Sequence, residues 1–408
     1  MEYLKPIFGI KKNIMKKNNS LMLSDSGRNL VGQEMFKILD KAKIHEENGK
    51  RIIHLELGQP RFETPNNLIN FTKNSLDKKR VGYCSSYGLI DLRLSISHKL
   101  NKKYSVNVEN IIISSANLLI SQVMHLLCNP DDNVVIFTPA FPTYIASSIF
   151  LNVKLHQIKL DFNDGFILTK KHVDQALNLS PKLIIINSAN NPTGAVYSKE
   201  SINYLYKMAK RKKIWILSDE TYGEIVYQSS FHSFLEFKLD NLIVISSFSK
   251  IYSIPGYRTG FAVSNKEIID KLSLSNSTLI SCQPIFIQEG ISKVMKNDKS
   301  YLSNINKTFL KVVKKTVSIL NSSKFIKGNY TIPVAGYYML IKIDDTGLSD
   351  IEFCEKLLDN HFVAVTPGSC FGDGFSSFIR ISLCGDFDSV IKGIKKIIKF
   401  YEIQLRLK

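Results

Sequence analysis

Three apolar runs, each closing on polar groups that can do chemistry, limit what this chain can fold into. Leu183–Ile186 leads into Asn187-Ser-Ala-Asn-Asn-Pro-Thr-Gly194. Ile214–Leu217 closes on Ser218 and Asp219. Leu242–Ile245 leads into Ser246, Ser247, Ser249 and Lys250. Near-continuous apolarity over four or five residues is the pattern of a parallel strand buried on both faces. The intervening stretches have the length and pattern of helices, so the fold class expected is α/β, with a mostly parallel sheet covered by helices. In such a sheet the carboxyl ends of the strands share one edge, where ligands bind. Asn191, Asp219 and Lys250 therefore converge by topology, although each alone has an ordinary reading. An Asp at a strand end caps helices or pairs with bases, and a Lys after a strand is usually a solvated loop charge.

Lys250 in that place suits imine chemistry. A buried amine flanked by cations loses its proton more readily and can condense with an aldehyde. Eight residues on stands Arg258, which with Ser247 can hold a phosphate through a two-pronged hydrogen bond. The cofactor that carries both an aldehyde and a phosphate is pyridoxal 5'-phosphate. Ile111–Ser114, followed by Ser115-Ala116-Asn117 and a helical pattern from Leu118, is a second candidate phosphate site. Free N–H groups at a helix start attract anions, and the same residues equally suit a plain N-cap.

Other segments extend the pattern. Gln33–Asn48 predicts a helix through Met35, Phe36, Ile38, Leu39, Ala42 and Ile44. Ile52–Leu57 predicts a short strand before the turn Gly58-Gln59-Pro60. Ala335–Lys342, His361–Val365 and the run from Phe378 predict further strands, and Tyr301–Leu320 predicts a long helix.

Taken in order, these segments resemble the class I and II aminotransferases, the aspartate aminotransferase family of fold type I. The resemblance spans residues 28–400. It rests on Gly58-Gln59-Pro60, on Tyr83 to Gly88 with Leu92-Arg93, and on Ser115-Ala116-Asn117. Further matches are Pro139 to Tyr144, Asn191-Pro192-Thr193-Gly194, Asp219 with Tyr222, and Ser247 to Lys250 with Gly256-Tyr257-Arg258. The last are Pro367-Gly368 with Phe371-Gly372, and Arg380. Ser115 stands where glycine is more usual, and Ala189 where a proline is common.

The resemblance implies a role for each matched residue. Lys250 would carry the cofactor as an imine and then move the substrate proton. Asp219 would hold the protonated pyridine nitrogen, and Phe141 would stack on the ring. Asn191 and Tyr222 would donate to the ring oxygen, and the peptide before Pro192 is often cis. Ser115, Ala116, Asn117, Ser247, Ser249 and Arg258 would anchor the phosphate, together with Tyr83 from the neighbouring subunit of a homodimer. Gly58, Asn191 and Arg380 would bind the substrate, with Arg380 on its α-carboxylate. The implied layout is an arm (1–28), a small α+β domain built from both chain ends (29–60 and 301–408), and a large cofactor-binding domain (61–300). The implied reaction moves an amino group between an L-amino acid and a 2-oxo acid, with a lyase or decarboxylase on the same scaffold as the alternative.

Substrate choice follows from charge. Aspartate-specific relatives need a second cation for the distal carboxylate, and some carry a lysine where Asn117 stands. Residues 278–287 offer none either, while Leu57, Phe141, Cys282 and Ile285 are apolar or uncharged. A neutral donor, apolar or aromatic, is expected.

Composition adds exclusions. The net charge is +18, from 54 basic and 36 acidic residues, which raises a catalytically silent nucleic-acid-binding protein as a reading of another class. The excess is spread out, however, and no zinc-finger spacing or RNP-type aromatic motif accompanies it. Lys307, Lys311, Lys314 and Lys315 fall on one helix face and read as a solvated surface. No run reaches the ~18 apolar residues of a membrane span. Six scattered cysteines without a C-x-x-C pair predict free thiols in a reducing, cytoplasmic setting, and no metal site.

Overall fold

The computed structural model describes residues 23–30, 32, 34–60, 62–79, 81–297 and 301–407; most of the expected arm, residues 1–22, lies outside them. Twelve strands occur among the described residues: β1 (Ile53–His54), β2 (Ile111–Ser114), β3 (Asn133–Thr138), β4 (Lys154–Lys159), β5 (Leu183–Asn187), β6 (Trp215–Asp219), β7 (Leu242–Ser247), β8 (Gly260–Val263), β9 (Tyr338–Lys342), β10 (Val363–Ala364), β11 (Thr366–Pro367) and β12 (Phe378–Ser382). Seven form one sheet in the order β2-β8-β7-β6-β5-β3-β4. The pairs β3–β4, β3–β5, β5–β6 and β6–β7 are parallel, and β8 runs antiparallel to both its neighbours. This is the α/β architecture expected.

The apolar runs are explained by burial on both faces. Alternate residues of one strand enter two separate cores. Ile184 and Ile186 join the core on one side, with Val135, Ile216 and Val244. Leu183 and Ile185 join the other, with Val134, Ile136, Leu217 and Ile243, against Leu119, Ile120 and Val123 of the helix Ala116–Leu127. A period-two side-chain pattern with helices on both faces leaves no polar side to the strand. The direction of β8 follows from its short connection, since a parallel partner needs a crossover of a dozen residues or more, usually helical. Gly260 opens β8 because any Cβ there would strike the Ser246 carbonyl.

Smaller sheets complete the fold. β1 pairs in parallel with β10, and β12 lies between β9 and β11, antiparallel to both. The helix Tyr301–Leu320 lies where expected. It buries Ile305, Phe309, Val312, Val313, Thr316 and Leu320 at three- and four-residue spacing.

Several expected bounds are corrected. The strand expected over Ile52–Leu57 shrinks to two residues, because the carbonyls of residues 56–58 serve side chains instead of a ladder. His361 ends the helix Asp350–His361, with Phe362 in the left-handed region as its cap, so the strand begins at Val363. The run from Ala335 becomes a strand only at Tyr338, after Gly336 at φ +62°. In the helix Glu34–Glu47, Met35, Ile38 and Ala42 are buried, but Phe36 and Ile44 face outward. The edge strand β4 has lysines at both ends and no fully buried position, so it carries no apolar signal.

Candidate active site

The parallel register places the polar strand ends side by side: Asn187 pairs with Asp219, and Asp219 with Ile245. Asn187 is a brace between two predicted residues. Its amide donates to the Asp219 carbonyl at 2.8 Å, and its Oδ1 accepts the Asn191 N–H at 2.8 Å. Asp219 is buried. Its Oδ2 accepts the Tyr144 hydroxyl at 2.7 Å and its Oδ1 accepts the Thr221 N–H at 3.0 Å. Burial pushes its carboxyl above the usual range, and these two bonds oppose that push. No Lys, Arg or His forms an ion pair with it among the described residues. A buried carboxyl that accepts two hydrogen bonds and has no cation beside it suits a protonated ring nitrogen.

Lys250 lies in a four-residue helix, Phe248–Ile251, directly after β7. Its ammonium donates to the Gly58 carbonyl at 2.8 Å. Burial lowers it to about 8; Cys384 opposes this, while Arg258 and Arg380 add to it. Ser247 caps the same short helix by accepting the Ser249 N–H at 3.2 Å. On the neighbouring side of the sheet, Ser115 precedes the helix Ala116–Leu127, whose first hydrogen-bonded N–H is that of Leu119. The N–H groups of Ala116 and Asn117 are therefore donors that the fold does not consume. Arg258 has φ +52° and an exposed guanidinium that donates to the Pro255 carbonyl at 2.9 Å.

Arg380 sits at the centre of β12 and is 1% exposed. Its Nη1 donates to Asn191 Oδ1 at 3.2 Å. Its Nη2 donates to Thr366 Oγ1 at 3.1 Å and to the Glu56 carbonyl. The guanidinium also lies 4.3 Å from the Tyr338 ring centre and 4.9 Å from that of Phe371. A guanidinium has five N–H donors. Three are engaged, and Nε is buried without a partner among the described residues. Two donors left over suit one carboxylate.

The segment 56–58 is stitched into the site by its backbone. The Glu56 carbonyl accepts from Arg380 and from Thr366 Oγ1 (2.7 Å). The Leu57 carbonyl accepts from Cys384 (3.8 Å), and the Gly58 carbonyl from Lys250 and from the Tyr337 hydroxyl (3.2 Å). A Cβ at Gly58 would overlap the Tyr338 hydroxyl, so only glycine fits. Tyr222 is buried, with its hydroxyl 3.0 Å from that of Tyr338.

The structure thus brings Lys250, Gly58, Asn191 and Arg380 together, with Asp219 and Tyr222 beside them. Phe141 precedes the helix Pro142–Leu151, its ring edge-on to Tyr144. The Asn191–Pro192 peptide is cis, as the motif implies. Tyr83 stands apart, 86% exposed. Sequence reading missed Tyr144, Asn187, Thr366, Tyr337, Tyr338 and the carbonyls of 56–58. In the sequence Tyr144 shows only as the last residue of the Pro139 to Tyr144 match.

These residues fit pyridoxal phosphate on the structure's own terms. Among the described residues Asp219 lacks a cation and the helix start at Ala116 has unused donors, and burial brings the Lys250 amine down to about 8. Asn191 Nδ2 has no partner among the described residues while its Oδ1 is engaged, which leaves a donor for the ring oxygen. Fold and site together define a pyridoxal-phosphate enzyme.

Comparison with known proteins gives the family. The aminotransferase class I and II family matches residues 50–397, and the chain belongs to it. The chain is 32% identical to the (5-formylfuran-3-yl)methyl phosphate transaminase of Methanocaldococcus jannaschii, over 93% of this chain and 99% of that one. It is 28% identical to the aspartate aminotransferase of Thermotoga maritima, over 88% and 94%. A crystal structure of a T. maritima aspartate aminotransferase superposes with a TM-score of 0.86 at 26% identity, over 93% and 100%. A Methanococcus jannaschii structure, described as similar in its active site to kynurenine aminotransferases, superposes at 0.81 and 32% identity, over 93% and 100%. The protein is a pyridoxal-phosphate-dependent aminotransferase acting on amino acids and 2-oxo acids. No described helix is long and apolar enough to cross a membrane.

Proposed function

We propose that the amino donor is a neutral L-amino acid, apolar or aromatic, and that the enzyme works as a cytoplasmic homodimer. The observation that carries the donor reading is the make-up of the walls. Arg380 is ringed by Tyr338 and Phe371, with Tyr222 and Tyr337 beside them, and three of its donors are already engaged. Neither Asn117 nor residues 278–287 add a cation for a distal carboxylate, whose desolvation costs several kcal/mol. The kynurenine-type description of the M. jannaschii relative supports an aromatic donor. The names of the aspartate aminotransferases pull the other way. The test is kcat/KM for phenylalanine, methionine, leucine, alanine and aspartate. Aspartate ahead by tenfold, about 1.4 kcal/mol, would overturn the reading.

Pyridoxal phosphate, when bound, supplies an aldehyde for condensation with amines and a ring that takes up the electrons of a broken Cα–H bond. Asp219 would keep the ring nitrogen protonated. Asn191 and Tyr222 would donate to the ring oxygen, and Phe141 would cover a ring face. The helix start at Ser115, Ala116 and Asn117 would hold the phosphate with Ser247, Ser249 and Arg258. Arg380 would fix the substrate carboxylate, with Gly58 leaving space for it. Lys250 Nζ, largely deprotonated above pH 8, takes the proton from the substrate Cα.

The dimer reading rests on Tyr83 and its surroundings. Val81, Tyr83, Ile90, Leu274 and Leu279 are exposed apolar or aromatic side chains. They lie on two segments that pack together through Ser86–Ser273 and Tyr87–Asp270 hydrogen bonds. Such a patch calls for a cover, and a second copy that brings Tyr83 to the neighbouring phosphate supplies it. Mixing inactive Lys250→Ala with a Tyr83→Ala variant should restore part of the activity, whereas a fully active monomer in light scattering would refute it. The reading of a large domain (61–300) and a two-ended small domain is supported by the seven-stranded sheet, which draws only on residues 111–263. Six free cysteines support the cytoplasmic assignment.

A further inference from the structure

The fold brings two cysteines together across 198 residues of sequence. Cys84 lies in an irregular stretch between the helices Asn66–Asp77 and Ile90–Leu100. Cys282 lies in the break between the helices Lys266–Leu279 and Ile285–Asn297. The Cys84 N–H donates to Cys282 Sγ at 3.3 Å. Gln288 Nε2 donates to Cys84 Sγ at 3.4 Å, and Cys84 Sγ donates to the Gln283 carbonyl at 3.7 Å. Burial pushes the Cys84 thiol up to about 11; Gln288 opposes this, and a side-chain hydrogen bond with Cys282 adds to it. Both side chains are half-buried in the single chain. Joining them requires the two sulfurs to close to an S–S bond of about 2.0 Å. Both cysteines sit outside regular structure, and the residue before Cys282, Ser281, turns at φ +60°.

We propose that Cys84 and Cys282 form a reversible thiol–disulfide site, oxidised by a low-molecular-weight disulfide such as glutathione disulfide. One cysteine, as thiolate, attacks the disulfide and expels a glutathione thiolate, leaving a mixed disulfide. The second cysteine attacks the protein sulfur of that bond and expels the second glutathione. Two protein thiols are oxidised to one disulfide, one glutathione disulfide is reduced to two thiols, and the two protons end on them. The bond ties the segment carrying Tyr83 to the break after Leu279. Its effect on activity rests on the reading that Tyr83 serves a neighbouring subunit; the formation of the bond does not.

The test uses the cofactor-loaded enzyme, incubated with glutathione disulfide, quenched by alkylation and mapped by peptide mass spectrometry. The expected result is one dominant intramolecular Cys84–Cys282 link, reversed by dithiothreitol. It should be absent in both Cys84→Ser and Cys282→Ser and unchanged in Cys128→Ser. Persistent glutathione adducts without that link, or a dominant link such as Cys354–Cys370, would overturn the proposal. Activity is read against each variant's own reduced form. Oxidised wild type should lose at least fivefold and recover on reduction, while Cys282→Ser should not respond. A link that forms without any change in activity upholds the site and removes Tyr83 from the cross-subunit role.

Discussion

Replacing Arg380 with lysine keeps a buried positive charge and removes the fork. The arginine offers five donors and spends three on Asn191 Oδ1, Thr366 Oγ1 and the Glu56 carbonyl. An ammonium has three donors. If it satisfies the same acceptors, which would otherwise be buried and unpaired, none remains for a substrate carboxylate. The loss is then about two charge-assisted bonds, each ~1.5–3 kcal/mol. The retained charge offsets part of this, so the lower end applies. About 3 kcal/mol corresponds to a fall in kcat/KM of roughly 10²–10³. The assay is the single-turnover half-reaction with a good amino donor, followed by the visible spectrum, with cofactor affinity measured in parallel. Because Arg380 is in the core, urea unfolding must show the variant folded at the assay temperature. Arg380→Lys within tenfold of wild type, or a variant that loses cofactor affinity and keeps its amino-acid kinetics, would refute the assignment of the two spare donors to the substrate.

Three further outcomes are expected. Loading of the cofactor-free protein should speed up as pH rises and level off above about 8, because only the neutral Lys250 amine condenses with an aldehyde; one pH unit below the midpoint about a tenth of it is free. Stopped-flow growth of the visible band checks this, and a flat profile from pH 6 to 9 would remove Lys250 as the titrating group. Asp219→Asn should still take up cofactor but lose most of its turnover, since a neutral partner does not hold a proton on the ring nitrogen; a near-normal kcat would contradict that role. Gly58→Ala should lower stability by about 1–3 kcal/mol and activity by tenfold or more, because the added methyl overlaps Tyr338 and crowds Tyr337. Unchanged urea midpoint and rate would show that the turn yields freely.

What the sequence made legible follows from what leaves a mark on it. Lys250, Asp219 and Asn191 stand out because they interrupt or follow apolar runs, and parallel strands bring such positions to one edge. The carbonyls of Glu56, Leu57 and Gly58 left no trace, since every residue has a carbonyl and only tertiary contact selects which ones work. Tyr144 is similar: its contact with Asp219 joins positions 75 apart, and no local pattern encodes it. The antiparallel direction of β8 depends on the length and turn of its connection rather than on its four residues. Phe36 and Ile44 fit the helical period yet face outward, because periodicity gives a stripe but not its width.

The bond between the Glu56 carbonyl and Arg380 joins positions 324 apart, and this sets an order on the birth of the enzyme. At the roughly 5–20 residues per second of translation, the second partner follows the first by about 15–65 s. For most of that interval, until Ala364 is made, β1 has no β10 to pair with, and its buried neighbours Ile52 and Leu55 lack most of their core. The seven-stranded sheet is complete once Val263 has emerged, so a nascent chain can hold its cofactor platform while its substrate clamp is still unmade.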